Sequence, residues 1–129
     1  MKESVTSCIK RVGGTDVTGA QALQAVDYSY NIRGWLTKIN EIGSLQQGTD
    51  PADLFSFQLN YNTVDGSTSA ASPLYNGNIA ETFWRTATDG GFVRNYGYKY
   101  DQLNRLKEAN YQKSNVVTNM YNENLSYDK

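Results

Sequence analysis

The clearest alternation in the chain runs from Leu54 to Asn62, where Phe55, Phe57, Leu59 and Tyr61 take one side and Ser56, Gln58, Asn60 and Asn62 the other. Strand side chains alternate with period two, so this stretch predicts a strand with an apolar core face and a wet face. Ser4 to Val12 reads as a strand closed by Gly13-Gly14. Asn78 to Arg85 reads as another, joined through Asp89-Gly90-Gly91 to a strand from Phe92 to Tyr100, and Asn115 to Tyr121 reads as a return strand. Thr18 to Val26 has the Ala, Gln and Leu content of a short helix, but no stop signal separates it from the tyrosines that follow. Extended structure is therefore expected from about Gln24. Ile42 to Ala52, with Gly43, Gly48 and Pro51, is a polar loop, and Asp65-Gly66 opens a Ser-, Thr- and Ala-rich loop to Pro73 that is long for a compact domain.

Between these stretches one turn is written twice. Tyr28-Ser29-Tyr30-Asn31-Ile32-Arg33-Gly34-Trp35-Leu36 is matched by Tyr98-Lys99-Tyr100-Asp101-Gln102-Leu103-Asn104-Arg105-Leu106. Asn31 and Asp101 carry a side-chain oxygen that can accept hydrogen bonds from the following backbone, and Gly34 and Asn104 tolerate positive φ. Together they predict a type I turn closing a hairpin with a G1 bulge. Counting outward from the turn pairs Asn31 with Trp35, Tyr30 with Leu36 and Ser29 with Thr37; in the second copy it pairs Asp101 with Arg105, Tyr100 with Leu106 and Lys99 with Lys107. Tyr28, Tyr30 and Leu36, like Tyr96, Tyr98, Tyr100 and Leu106, then share an aromatic core face, and the charged and hydroxyl residues face water. Leu125-Ser126-Tyr127-Asp128 begins a third copy, and Lys129 follows before its turn can close. The expectation is one β-rich repeat segment over residues 1–129, truncated within a further repeat.

These units resemble the bacterial RHS or YD-repeat proteins, whose signature is Tyr-Asp followed two residues later by Gly-Arg-Leu or a close variant. The resemblance extends to Asp53-Leu54-Phe55, to Tyr75-Asn76-Gly77-Asn78-Ile79 with Trp84 and Arg85, and to the closing Leu125-Ser126-Tyr127-Asp128. Asn31 stands where the family has Asp, Trp35 where it has Arg, and Asn104 where it has Gly. The first and third keep the turn chemistry, whereas Trp35 puts a large ring on the face that should be polar. The resemblance implies an all-β fold of antiparallel hairpin repeats in an open, twisted sheet. It further implies a large secreted or cell-surface parent protein whose hairpins wind into a shell, often around a C-terminal toxin or effector. The chain is then wall material, with the remaining repeats and the effector region as its partners and no catalytic residue to carry over. A cell-surface adhesin or carbohydrate-binding module is the alternative, with Trp35 and Trp84 as the ligand contacts. A segment severed within a repeat is also expected to self-associate through strand edges or an aromatic patch near Trp35.

Composition narrows the choice mostly by exclusion. The 129 residues are 39% apolar, with ten tyrosines, eleven glycines and two prolines, which suits strands and tight turns. A net charge of −1 with scattered Lys and Arg offers no basic stripe for nucleic acid. No run approaches the roughly 18 to 20 apolar residues of a membrane-spanning helix. Cys8 has no partner for an internal disulfide and reads as a small, buried or half-buried thiol.

The absence of histidine removes the usual base of a nucleophilic triad and most zinc ligand sets, and one cysteine cannot form a thiolate cluster. A carboxylate pair is the remaining catalytic option, from Glu41, Asp50, Asp53, Glu81 and Asp89, with a tryptophan as sugar platform. Loop, cap and strand roles account for those carboxylates, and no spacing implies a pair. Asp50 with Asp53, or Asn76 with Asn78, could offer oxygens to calcium, but turn formation explains them better. The sequence therefore predicts no enzyme, cofactor or metal site.

Overall fold

A computed structural model of the chain describes residues 6–12, 24–46, 48–49, 52–65, 71–114 and 116–128, with side chains from Val26 onward. The strands are β1 (Thr6–Val12), β2 (Gln24–Tyr30), β3 (Leu36–Ile39), β4 (Phe55–Asn60), β5 (Glu81–Thr86), β6 (Arg94–Tyr100), β7 (Leu106–Lys113), β8 (Val116–Val117) and β9 (Glu123–Asn124). They are hydrogen-bonded in chain order from β1 to β8, with β9 on β7, in an open antiparallel sheet. Sheet order that follows chain order is what successive hairpins produce. Cys8 lies in β1; its side chain is outside the described set.

The chain divides into two compact units, Met1–Gln58 with Trp84–Gly91 and Leu59–Phe83 with Phe92–Lys129, the boundaries falling inside β4 and β5. In the first unit, hairpin β2–β3 pairs Tyr30 with Leu36, Ser29 with Lys38 and Tyr28 with Ile39, and β3 pairs with β4 through Lys38–Gln58 and Ile39–Phe57. In the second, hairpin β6–β7 pairs Tyr100 with Leu106, Lys99 with Glu108, Tyr98 with Ala109 and Tyr96 with Tyr111.

The pairing corrects the register counted from sequence. Tyr30–Leu36 and Tyr100–Leu106 are as expected, but Ser29 meets Lys38 instead of Thr37, and Lys99 meets Glu108 instead of Lys107. Each hairpin carries an extra residue, Thr37 or Lys107, one position beyond the leucine. Such a bulge leaves one residue unpaired and shifts the alternation of everything after it.

Burial also departs from the simple face assignment. Among the described residues the buried apolar side chains are Ala80, Phe83, Ala109 and Tyr111, which belong to the second unit. The tyrosine and leucine rows are half-buried. On β4 the expected wet positions Ser56 and Asn60 are 0% and 6% exposed, while Phe55, expected in the core, is 40% exposed. Asn40, Asp53, Glu81, Asn95 and Gln112 are buried as well. Asn40, Asn60 and Glu81 meet this burial with side-chain hydrogen bonds, whereas the Ser56 hydroxyl, Asn95 Oδ1 and Gln112 Nε2 find no partner among the described residues.

Several elements are shorter than the alternation suggests. The expected strand Asn115 to Tyr121 is reduced to Val116–Val117, because Ser114, Asn119 and Tyr121 adopt φ of 51°, 52° and 58°, incompatible with extension. The Asp89-Gly90-Gly91 link is a 3-10 turn, Ala87–Asp89, left through Gly90 and Gly91 at φ 84° and 67°.

Candidate functional site

The motif residues build two equivalent turns. In the first, the Gly34 N–H donates to the Asn31 carbonyl and the Asn31 N–H to the Trp35 carbonyl, both at 2.9 Å. Asn31 Oδ1 accepts from the Arg33 and Trp35 N–H groups, each at 3.0 Å. In the second, the Asn104 N–H donates to the Asp101 carbonyl at 3.0 Å and the Asp101 N–H to the Arg105 carbonyl at 2.9 Å. Asp101 Oδ1 accepts from Leu103 at 2.8 Å and Arg105 at 2.9 Å. Gly34 at φ 77° and Asn104 at φ 60° occupy the left-handed region, as the shared turn requires. The tips Ile32 and Leu103 are exposed.

The two copies differ where their charges differ. The Arg105 Nε donates to Asp101 Oδ2 at 2.7 Å. The Asp101 carboxyl is held below its ordinary range, chiefly by the Arg105 backbone N–H and further by the Arg105 side chain and the Leu103 N–H. Across β6–β7, Lys99 Nζ lies 2.8 Å from Glu108 Oε2, and this ammonium, with Asn110, holds the Glu108 carboxyl low. In the first turn no acid is present; instead the Arg33 guanidinium sits 5.1 Å from the centre of the half-buried Trp35 ring.

Aromatic contacts continue along β6 and β7. Tyr96 stacks on Tyr98 at 6.1 Å and tilts against Tyr111 at 5.4 Å, and Tyr121 meets Tyr111 edge-on at 5.5 Å. Burial, with Tyr98 beside it, raises the Tyr100 hydroxyl pKa, and that hydroxyl donates to the Ile79 carbonyl at 2.7 Å. The third motif copy is tied to the second hairpin. Leu125 N–H donates to the Lys107 carbonyl at 2.9 Å, the Tyr127 hydroxyl donates to the Leu106 carbonyl at 2.7 Å, and Arg105 lies over the Tyr127 ring at 4.4 Å. Asp128 is exposed.

Sequence reasoning missed three asparagine clamps. Asn40, at φ 56°, donates its N–H to the Asp27 carbonyl at 2.7 Å, accepts the Asp27 N–H on Oδ1 at 2.8 Å and donates Nδ2 to the Phe55 carbonyl at 2.8 Å. It thereby fastens the first hairpin to β4. Asn60 Nδ2 donates to Glu81 Oε2 at 3.1 Å and to Asp65 Oδ2 at 2.9 Å, while the Asp65 N–H donates to the same Glu81 oxygen at 2.7 Å. Asn76 and Asn78 both reach Asn104 Oδ1, at 2.9 and 3.5 Å, linking the segment before β5 to the second turn. For Asn40 and Asn60 the available signal was an asparagine just beyond or at the end of a strand; Asn76 and Asn78 lie in an irregular segment and carry no such signal.

The carboxylates considered for catalysis are engaged structurally. Glu41 pairs with Lys38 at 2.9 Å, Asp53 is buried with its N–H on the Leu45 carbonyl at 2.6 Å, Glu81 belongs to the Asn60 clamp, and Asp89 is exposed in the 3-10 turn. Asp50 lies outside the described residues. Trp84 is half-buried on β5, and its neighbour Arg85 donates to the Ile42 and Gly43 carbonyls at 3.3 and 3.0 Å. No group of three His, Cys, Asp or Glu able to hold a metal occurs among the described residues, and no helix there is long and apolar enough to cross a membrane. Compared with protein-family models, curated proteins and solved structures, the chain matches none of them.

Proposed function

We propose that this chain is a non-catalytic structural segment of an RHS or YD-repeat protein, contributing hairpins to a β-sheet shell that encloses a C-terminal effector. The observation that supports the reading is the repeated hairpin. Two stretches 70 positions apart, Asn31 and Asp101 being equivalent, share the same turn, the same side-chain cap and the same bulge after the leucine. A third copy lies against the second through Leu125 and Tyr127. Half-buried aromatic rows suit a unit whose neighbours supply further cover, as in other repeat architectures.

The test is made on the protein encoded by the full reading frame, assumed on this proposal to continue into further repeats and an effector region. Limited proteolysis of that protein should spare the effector, and deletion of residues 1–129 should expose it to cleavage. An effector equally protected in both proteins, or a reading frame with no further Tyr-Asp hairpins, would overturn the reading. Secretion or surface display of the parent and contact with the neighbouring repeats belong to the same proposal.

A further inference from the structure

Asn76-Gly77 is the only Asn-Gly step in the chain. Asn76 is exposed in the irregular segment before β5, and Gly77 adopts φ 92°. Glycine lacks the Cβ that would shield its backbone nitrogen from the preceding side chain. Asn76 Oδ1 accepts the Asn78 N–H at 3.1 Å, so the side chain is folded back over Gly77 in an Asx turn. The same N–H is placed to stabilise negative charge on that oxygen when a nucleophile adds to Cγ. Asn76 Nδ2 donates to Asn104 Oδ1 at 2.9 Å. Asn76 is itself exposed, so water reaches the reacting side chain directly.

We propose that Asn76 is a site of spontaneous deamidation through a succinimide. The Gly77 nitrogen gives up its proton to hydroxide and bonds to Asn76 Cγ; the Cγ–Nδ2 bond breaks, and ammonia leaves after taking a proton from water. Water then adds to one carbonyl of the ring. Opening at the Cγ–N bond yields aspartate, and opening at the backbone C–N bond yields isoaspartate. No electron transfer is involved. In aspartate an oxygen replaces the Nδ2 donor, so an acceptor faces Asn104 Oδ1 where a hydrogen bond stood; in isoaspartate Cγ is carried into the main chain on the Gly77 nitrogen and the free carboxylate is the former main-chain carbonyl carbon, so the Nδ2 donor to Asn104 is lost in both. The isoaspartyl product also lengthens the main chain by one methylene. The modification thus loosens the tie between this segment and the second hairpin turn.

The test is incubation of the intact chain at mildly alkaline pH, followed by peptide mapping with mass spectrometry. The mass gain from replacing NH₂ by OH should appear in the peptide spanning residue 76 before it appears at any other asparagine. That peptide should resolve into two products, aspartyl and isoaspartyl. Gly77→Ala should slow the conversion several-fold, and Asn76→Gln, which cannot close the five-membered ring, should abolish it without relying on the geometry of residue 77. An unconverted Asn76 while another asparagine gains the mass, or an aspartyl product alone, would overturn the proposal.

Discussion

Replacing Asn31 by alanine removes the oxygen that accepts the Arg33 and Trp35 N–H groups while leaving the backbone bonds of the turn in place. A neutral intramolecular hydrogen bond contributes about 0.5–1.5 kcal/mol net, and an exposed turn belongs at the low end because water can replace part of the loss. The two bonds together place the cost at about 1–2 kcal/mol, in line with truncation of a helix-capping asparagine. Asn31→Asp should be nearly neutral, because Asp101 performs the same double acceptance in the second hairpin. Amide hydrogen exchange resolves the effect locally. Protection of the Trp35 amide should fall by about 5- to 30-fold in Asn31→Ala, the factor equivalent to that energy, and remain near wild type in Asn31→Asp. Equal protection in all three proteins would refute the claim that the side-chain cap holds the turn. An aspartate as damaging as alanine would refute the equivalence of the two copies.

Further outcomes follow from other parts of the fold. Gly34→Val should destabilise by about 1–2 kcal/mol in a urea titration from left-handed backbone strain alone, since among the described residues none beyond its chain neighbours would meet the added Cβ, whereas Gly34→Asn should be tolerated as Asn104 is; equal costs would contradict this. Asn60→Ala should cost about 2–3 kcal/mol by the same titration because the buried Glu81 side chain loses a donor, and a neutral result would show that the clamp contributes nothing. Asp101 and Glu108 both have carboxyl pKa values lowered by folding, so their stabilisation is complete above the unfolded carboxylate pKa of about 4 and is lost as pH falls through the lower folded values. The double variant Asp101→Asn, Glu108→Gln should therefore show a shallower decline in stability below about pH 5, and parallel curves would contradict the assignment. Light scattering on the isolated chain should reveal self-association through exposed strand edges, and a strict monomer at high concentration would count against it.

The parts of the fold that were legible in the sequence were those set by local chemistry. An asparagine or aspartate followed three residues later by a left-handed residue defines a turn wherever it occurs, so both hairpins and the pairs Tyr30–Leu36 and Tyr100–Leu106 could be placed from the chain alone. The bulge residues Thr37 and Lys107 carry no such mark, because an unpaired position in a strand makes no special demand on side-chain type. Face burial was also hidden. The alternation of β4 fixes which residues share a side, but which side becomes inaccessible depends on distant packing, and here Ser56 and Asn60 are covered while Phe55 is not. The asparagine clamps were illegible for a related reason: each joins residues between 5 and 28 positions apart, and nothing local to Asn40, Asn60 or Asn76 names the partner.

The bulge after each leucine has an evolutionary consequence. Leu36 and Ile39 both lie on the aromatic side although three positions separate them, and so do Leu106 and Ala109. Each bulge therefore shifts inward and outward parity by one residue within its own hairpin. A duplication that copies a whole hairpin copies this shift too, so the leucine and the residue three positions on keep facing the tyrosines of the partner strand in every copy.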